Sequence, residues 1–205
     1  MSTYKGIDVL EIKIDRPGAA DETFDRRLTI LDPGTGVVTV DEDSATPSPS
    51  RTVTIVTFTR AAAKAVYDFL DARKGRVVPF WMPSYQRDLV LTEDIAISGD
   101  VATVEWTGYS TGVYPQSLAR RHLAFYEPHL AMEYHEVTDA DETGTATETL
   151  ELSPAVSRAA PAATTLISFL KLVRMDEDEA EISWLSTGVA EFTFRIHEVP
   201  NEVPA

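Results

Sequence analysis

The chain has 205 residues, 43% of them hydrophobic, and sets 18 Lys and Arg against 33 Asp and Glu, a formal net charge of −15. That apolar share supplies a packed core and excludes general disorder, while so acidic a chain is unsuited to sequence-independent nucleic-acid binding or to anionic membrane surfaces. Cysteine is absent, which removes disulfides, thiol nucleophiles, cysteine-held zinc and iron–sulfur clusters together.

The first residues pass at once into an alternating segment with no apolar signal core, so a cleaved export signal is not expected. No uncharged apolar run approaches the roughly 20 residues of a membrane span. Leu10, Ile12 and Ile14 alternate with Glu11, Lys13 and Asp15, the pattern of a strand with one wet face. Asp32-Pro33-Gly34 is a turn signal, and residues 41–51, acidic and then rich in Ser and Pro, read as a mobile loop. Thr52-Val53-Thr54-Ile55 alternates again.

Over residues 60–73 the period changes. Ala62, Val66, Phe69 and Leu70, with Ala65 beside them, recur at helical spacing. Thr59 is placed to cap the start and Gly75 to close the end. The spacing predicts one amphipathic helix laid against a sheet system.

Further along, residues 101–106 read as a strand, followed by Gly108-Tyr109-Ser110-Thr111-Gly112, a literal G-x-S-x-G. In α/β-hydrolases that pattern is a strand-to-helix elbow presenting a nucleophilic serine. Here Val113-Tyr114-Pro115-Gln116 does not open the required helix, and Ser186-Thr187-Gly188-Val189 repeats Ser110-Thr111-Gly112-Val113 where a hairpin turn is expected. Two similar β-turns are therefore the reading, and a hydrolase using Ser110 ranks third among the functions.

His129, Glu133, His135 and Glu136 bring nitrogen and oxygen donors together in sequence, yet without a recognised zinc spacing. Polar alternation on a wet strand accounts for them equally, and no metal or other cofactor is expected. Residues 138–148 and 153–165 read as loops, Asp176-Glu177-Asp178 as a solvated hairpin turn, and Thr149-Leu150-Glu151-Leu152 as a strand. In residues 191–197 Phe192, Phe194 and Ile196 point one way, and His197 is expected exposed on the charged face. Pro200 excludes a further strand, so residues 199–205 form a tail. Strands joined by tight turns imply antiparallel pairing, in one compact β-rich domain over 1–198, with a split near the Ala- and Pro-rich 153–165 connector as the alternative.

One segment stands apart: Arg73-Lys74-Gly75-Arg76 precedes Pro79-Phe80-Trp81-Met82-Pro83 and Ser84-Tyr85-Gln86-Arg87. A basic cluster against a proline-bounded aromatic run is compatible with core packing and with a contact surface, since Arg, Trp, Tyr and Met are enriched at interface centres. Arg73, Lys74, Arg76, Trp81, Tyr85 and Arg87 are the candidate interface residues.

The helix, the Ala72-Arg73-Lys74-Gly75-Arg76 turn, the Pro79–Pro83 block and Arg87-Asp88-Leu89-Val90-Leu91 resemble tail-end proteins of long-tailed bacteriophages. Phe169-Leu170-Lys171-Leu172-Val173-Arg174-Met175, Ile182-Ser183-Trp184, Val189-Ala190-Glu191-Phe192 and Glu198-Val199-Pro200 are similar to strands of such proteins. The resemblance implies a β-sandwich-like core with one helix packed on the sheets. It also implies a non-enzymatic structural role in the virion tail tip, as a distal tail or baseplate component. Its expected partners are further copies of itself in a ring, a hexamer favoured, and the neighbouring tail tube and hub proteins. The alternative is a β-rich glycan- or receptor-binding module with Trp106, Tyr109 and Tyr114 as sugar platforms.

Overall fold

The structure is a computed structural model that describes residues 2–11, 22–25, 28–31, 39–42, 48–128, 130–143 and 146–204, with the backbone alone at 22–25, 28–31, 39–42 and 48–49. Its elements in chain order are β1 (Thr3–Tyr4), β2 (Ile7–Asp8), β3 (Glu22–Asp25), β4 (Leu28–Leu31), β5 (Thr39–Glu42), β6 (Ser48–Thr57), α1 (Arg60–Ala72) and β7 (Phe80–Pro83). They continue with β8 (Val101–Glu105), β9 (His122–Tyr126), β10 (Glu133–Glu142), β11 (Thr147–Ser153), β12 (Leu166–Met175), β13 (Glu181–Trp184) and β14 (Ala190–Glu198). With 44% strand, antiparallel pairing and one helix of more than seven residues, the fold is of the mostly antiparallel β class, consistent with a β-sandwich-like fold. Among the described residues no helix is long and apolar enough to cross a membrane.

One domain over 1–198 was the expectation, whereas the contacts divide the chain into two compact units that interleave in sequence. The first comprises Met1–Pro17, Pro79–Val173 and Pro200–Ala205, and the second Gly18–Val78 and Arg174–Val199. Both contain segments distant in sequence, an arrangement that local periodicity does not encode.

In the first unit the strand order is β12-β9-β10-β11-β8, antiparallel throughout. β12 pairs through Leu166–Phe169 with β9 and through Leu170–Val173 with β7. The core gathers Leu89, Leu91, Val104, Leu123, Phe125, Val137, Leu150 and Ile167. Of residues 138–148, expected as a loop, 138–142 instead belong to β10 and 147–148 to β11, which pair with a register shift between Val137 and Asp139, and 144–145 lie outside the described residues. Apart from Glu148, which is buried, the acidic and Thr residues lie on exposed or half-exposed strand positions, where solvated charge is compatible with pairing. The connector 153–165 is nonetheless tied down: Val156 and Ala160 are buried, and Ala160 bonds reciprocally with Ile95.

The second unit holds β3-β6-β14 with β13 on the other side of β14, and β4 pairs with β5. Along β14, Ala190, Phe192, Phe194 and Ile196 are buried in strict alternation, as the sequence pattern requires. β6 starts at Ser48, so the expected loop over 41–51 is partly strand, and residues 43–47 lie outside the described residues. The same holds for Ile12 to Asp15 of the expected first strand and for the Asp32-Pro33-Gly34 turn.

α1 begins where expected. The Thr59 hydroxyl accepts the Ala62 N–H at 3.1 Å and satisfies one of the orphan donors of the first turn. Ala63, Val66, Phe69 and Leu70 form its buried stripe, so Ala63 replaces the expected Ala62 and Ala65, both exposed. At the other end Lys74 (φ 51°) and Gly75 (φ 62°) are both left-handed. Gly75 is fixed by proximity as well: a Cβ there would lie 2.9 Å from Asp178 Cα. After β14 the chain forms a short turn, Pro200–Glu202, against Leu118–Arg120.

Candidate functional site

Glu148 lies in a strand at a fully buried position. One of its carboxylate oxygens accepts the N–H groups of Thr107 (2.6 Å), Gly108 (2.6 Å) and Tyr109 (3.1 Å), and the other accepts that of Ser110 (2.6 Å). Four consecutive donors thus converge on one carboxylate, an anion nest filled from within the chain. Burial pushes this carboxyl's pKa up, but the four N–H groups outweigh it and hold the pKa below the ordinary value.

The nest shapes the G-x-S-x-G segment. Gly108 supplies the left-handed residue (φ 78°), and Tyr109–Val113 form one widened helical turn in which Tyr114 N–H reaches Tyr109 O at 2.8 Å. This is neither an elbow nor the β-turn expected from the Ser186–Gly188 repeat; that repeat does close the β13–β14 hairpin, with Leu185 N–H on Val189 O. Ser110 is buried, and its hydroxyl has no hydrogen-bond partner among the described residues. A nucleophile requires an adjacent base, and among the described residues none is hydrogen-bonded to the Ser110 hydroxyl.

His122 and His135 are buried and act as packing groups. His122 Nδ1 is hydrogen-bonded to the Tyr4 hydroxyl at 3.0 Å, and its ring packs against Tyr4 and Trp81. Burial first, then Lys5 and Arg121, lower its pKa to about 4 against the pull of Glu136. His135 Nδ1–H donates to Pro154 O at 2.7 Å, which leaves Nε2 facing Glu133 at 3.6 Å. Burial is the largest influence on His135 and lowers its pKa. The carboxylates once grouped with it have other partners: Glu133 binds Ser157 and Arg158, and Glu136 pairs with Lys5 at 2.8 Å. His129 lies outside the described residues. Among the described residues no three His, Asp or Glu side chains are grouped to hold a metal ion. His197, expected exposed, is half-buried, with Nδ1 3.5 Å from Asp176.

The six candidate interface residues separate by environment. Trp81 is 0% exposed; its Nε1–H donates to Tyr4 O at 3.1 Å, and its carbonyl accepts Leu10 N–H at 2.8 Å. Trp81 is a core residue and presents no contact surface. Arg73 is buried too, its guanidinium 4.6 Å from the Phe69 ring centre and its Nε donating to Phe69 O. Arg76 is exposed and forks onto Asp178 at 3.2 and 3.3 Å, a solvated pair of small energetic weight. Lys74 is exposed and lines a cleft of about 320 Å³ with Leu70, Met175 and Ile182. Tyr85 is half-buried, its hydroxyl donating to Leu10 O at 2.9 Å, and Arg87 is exposed. The surface candidates are therefore Lys74, Arg76 and Arg87.

Sequence reasoning passed over Glu148 altogether. The signal was present: in period-two register Glu148 shares a face with Leu150 and Leu152, which are buried. A carboxylate on an apolar face needs several donors.

Two measurements check this site. Glu148→Gln turns one acceptor into a donor facing backbone N–H groups, so urea denaturation will show a loss of about 2–3 kcal/mol, whereas Ser110→Ala will stay within about 0.5 kcal/mol because its hydroxyl has no bond to lose. Because the folded-state pKa of His122 lies below its unfolded value near 6.5, its contribution is complete above that value and declines as pH falls toward about 4. The stability of His122→Gln, measured between pH 7.5 and 4.5, will fall less steeply than that of the wild type.

No protein-family model matches this chain, and no curated protein matches its sequence.

Proposed function

We propose that this chain is a non-enzymatic structural component of the tail tip of a long-tailed bacteriophage. It assembles with further copies of itself into a ring that links the tail tube to the hub. The reading is supported by the sequence blocks that resemble such proteins and by the antiparallel β fold with a single helix. The observation that carries it is the large apolar surface left open. In the second unit Phe58 is 71% exposed, Trp184 58% and Leu185 61%, and in the first unit Ile97 and Leu118 are equally exposed. Two of these side chains adjoin, Trp184 at the end of β13 and Leu185 immediately after it. Apolar clusters at a soluble surface mark contacts made on assembly, and the net charge of −15 opposes indiscriminate association of free subunits.

A glycan-binding module is the second reading, favoured by Trp106. Its indole is 50% exposed at the edge of the Glu148-pinned loop. Tyr109 is buried and the Tyr114 hydroxyl donates to Thr138 O, so of the three expected platforms only Trp106 is open in this way.

Light scattering coupled to size exclusion, at moderate and high salt, will show a closed ring of about six subunits, visible by negative stain. A strict monomer in every condition overturns self-assembly. Glycan-array binding by the monomer that is lost in Trp106→Ala supports the second reading, and a blank array removes it.

A further inference from the structure

The loop that follows β7 carries a strained residue. Tyr85 adopts φ 55°, a left-handed conformation that a bulky side chain seldom takes. Such strain persists only where the surroundings over-determine it, and here they do. The Tyr85 hydroxyl is held by Leu10 O, and the Ser84 hydroxyl donates to Asp88 and accepts Gln86 N–H at 3.2 Å. Asp88 in turn accepts Phe169 N–H at 2.7 Å, Ser84 N–H reaches Phe169 O at 2.9 Å, and Ser168 donates to Gln86 O at 2.7 Å. The loop is stitched to β12 from both of its ends.

What this scaffold turns outward is Arg87. Its side chain is exposed, and among the described residues no hydrogen bond or ion pair engages it. Among the described residues Lys5 is paired with Glu136, Lys64 with Asp68, Arg76 with Asp178, and Arg158 with Glu127 and Glu133, while Lys74, exposed like Arg87, offers an ammonium and not a guanidinium fork. We propose that Arg87, presented by the strained 84–88 loop, is the contact through which one copy of this chain docks on the carboxylate surface of a second copy.

The partner follows from charge complementarity. With 33 acidic against 18 basic side chains, a second copy offers carboxylates that a guanidinium fork binds in bidentate fashion. A backbone already fixed loses little entropy on docking. Arg87 on one face and carboxylates on another make the contact heterologous, the kind that closes into a ring when the rotation allows. This rests on the assembly reading above and names a surface for it.

The test compares full-length wild type, Arg87→Glu, Arg87→Lys and Lys64→Glu by light scattering over a concentration series at fixed ionic strength. Arg87→Glu will weaken self-association by about tenfold or more, Arg87→Lys will fall between it and wild type, and Lys64→Glu will match wild type. Thermal melting controls for folding and will be unchanged for Arg87→Glu, since Arg87 makes no internal bond. Wild-type assembly with Arg87→Glu unaffected overturns the docking contact and leaves the assembly reading standing. Equal losses in Arg87→Glu and Lys64→Glu reduce the effect to net charge and overturn it too. A wild type that remains monomeric at every concentration overturns both.

Discussion

Burial of Trp81 organises the first unit. An indole withdrawn from water must pair its N–H, and Tyr4 O satisfies it, which fixes the N-terminal segment over β7. The Trp81 carbonyl then receives Leu10 N–H, Val9 bridges to the same residue, and Leu172 pairs with it across the ladder. Tyr4 and His122 close around the indole, Tyr4 nearly edge-on and the His122 ring tilted. One side chain therefore ties together residues separated by more than a hundred positions, and the proline on either side of residues 80–82 keeps that stretch extended enough for the ladder to form.

The residues that look chemical from their types alone are consumed by the same need to satisfy buried polar groups. Glu148 is charged and fully buried, and four N–H groups are the reason it is tolerated. Ser110 contributes an amide to that arrangement, not a hydroxyl. His122 and His135 each hold one hydrogen bond inside the core. The result is a hydrogen-bonded polar interior whose groups position loops, most visibly the turn that leaves Trp106 at the surface.

The exterior has the opposite character. Large apolar side chains stay open on both units while acidic groups dominate the charge. Such a surface is unfavourable for a chain that acts alone and suited to one whose neighbours cover it. Strain is stored in the 84–88 loop, where Arg87 is held out to solvent on a backbone already fixed by folding.

Period-two alternation was sufficient to place β14 and the middle of β6, and the three-and-four spacing with Thr59 was sufficient for α1, because those signals arise from each segment's own face toward a core. Leu150 and Leu152 marked β11 by their alternation, whereas the outer half of β10 was hidden, since Thr138, Asp139, Asp141 and Glu142 carry no apolar alternation to mark a strand. The proline-bounded context of Trp81 left core and surface equally open, and only its pairing with Leu172 and its bond to Tyr4 decided for core. Arg73, Arg76 and Arg87 look alike as a basic cluster; the fold buries the first against Phe69, spends the second on Asp178 and leaves the third in water. The sequence by itself determined the β-rich class, the helix and the absence of thiol chemistry, all consequences of composition and local period. Which side chains meet, how the chain divides into two interleaved units and which cation faces outward were decided by tertiary structure alone, because those outcomes depend on contacts between residues far apart in the chain.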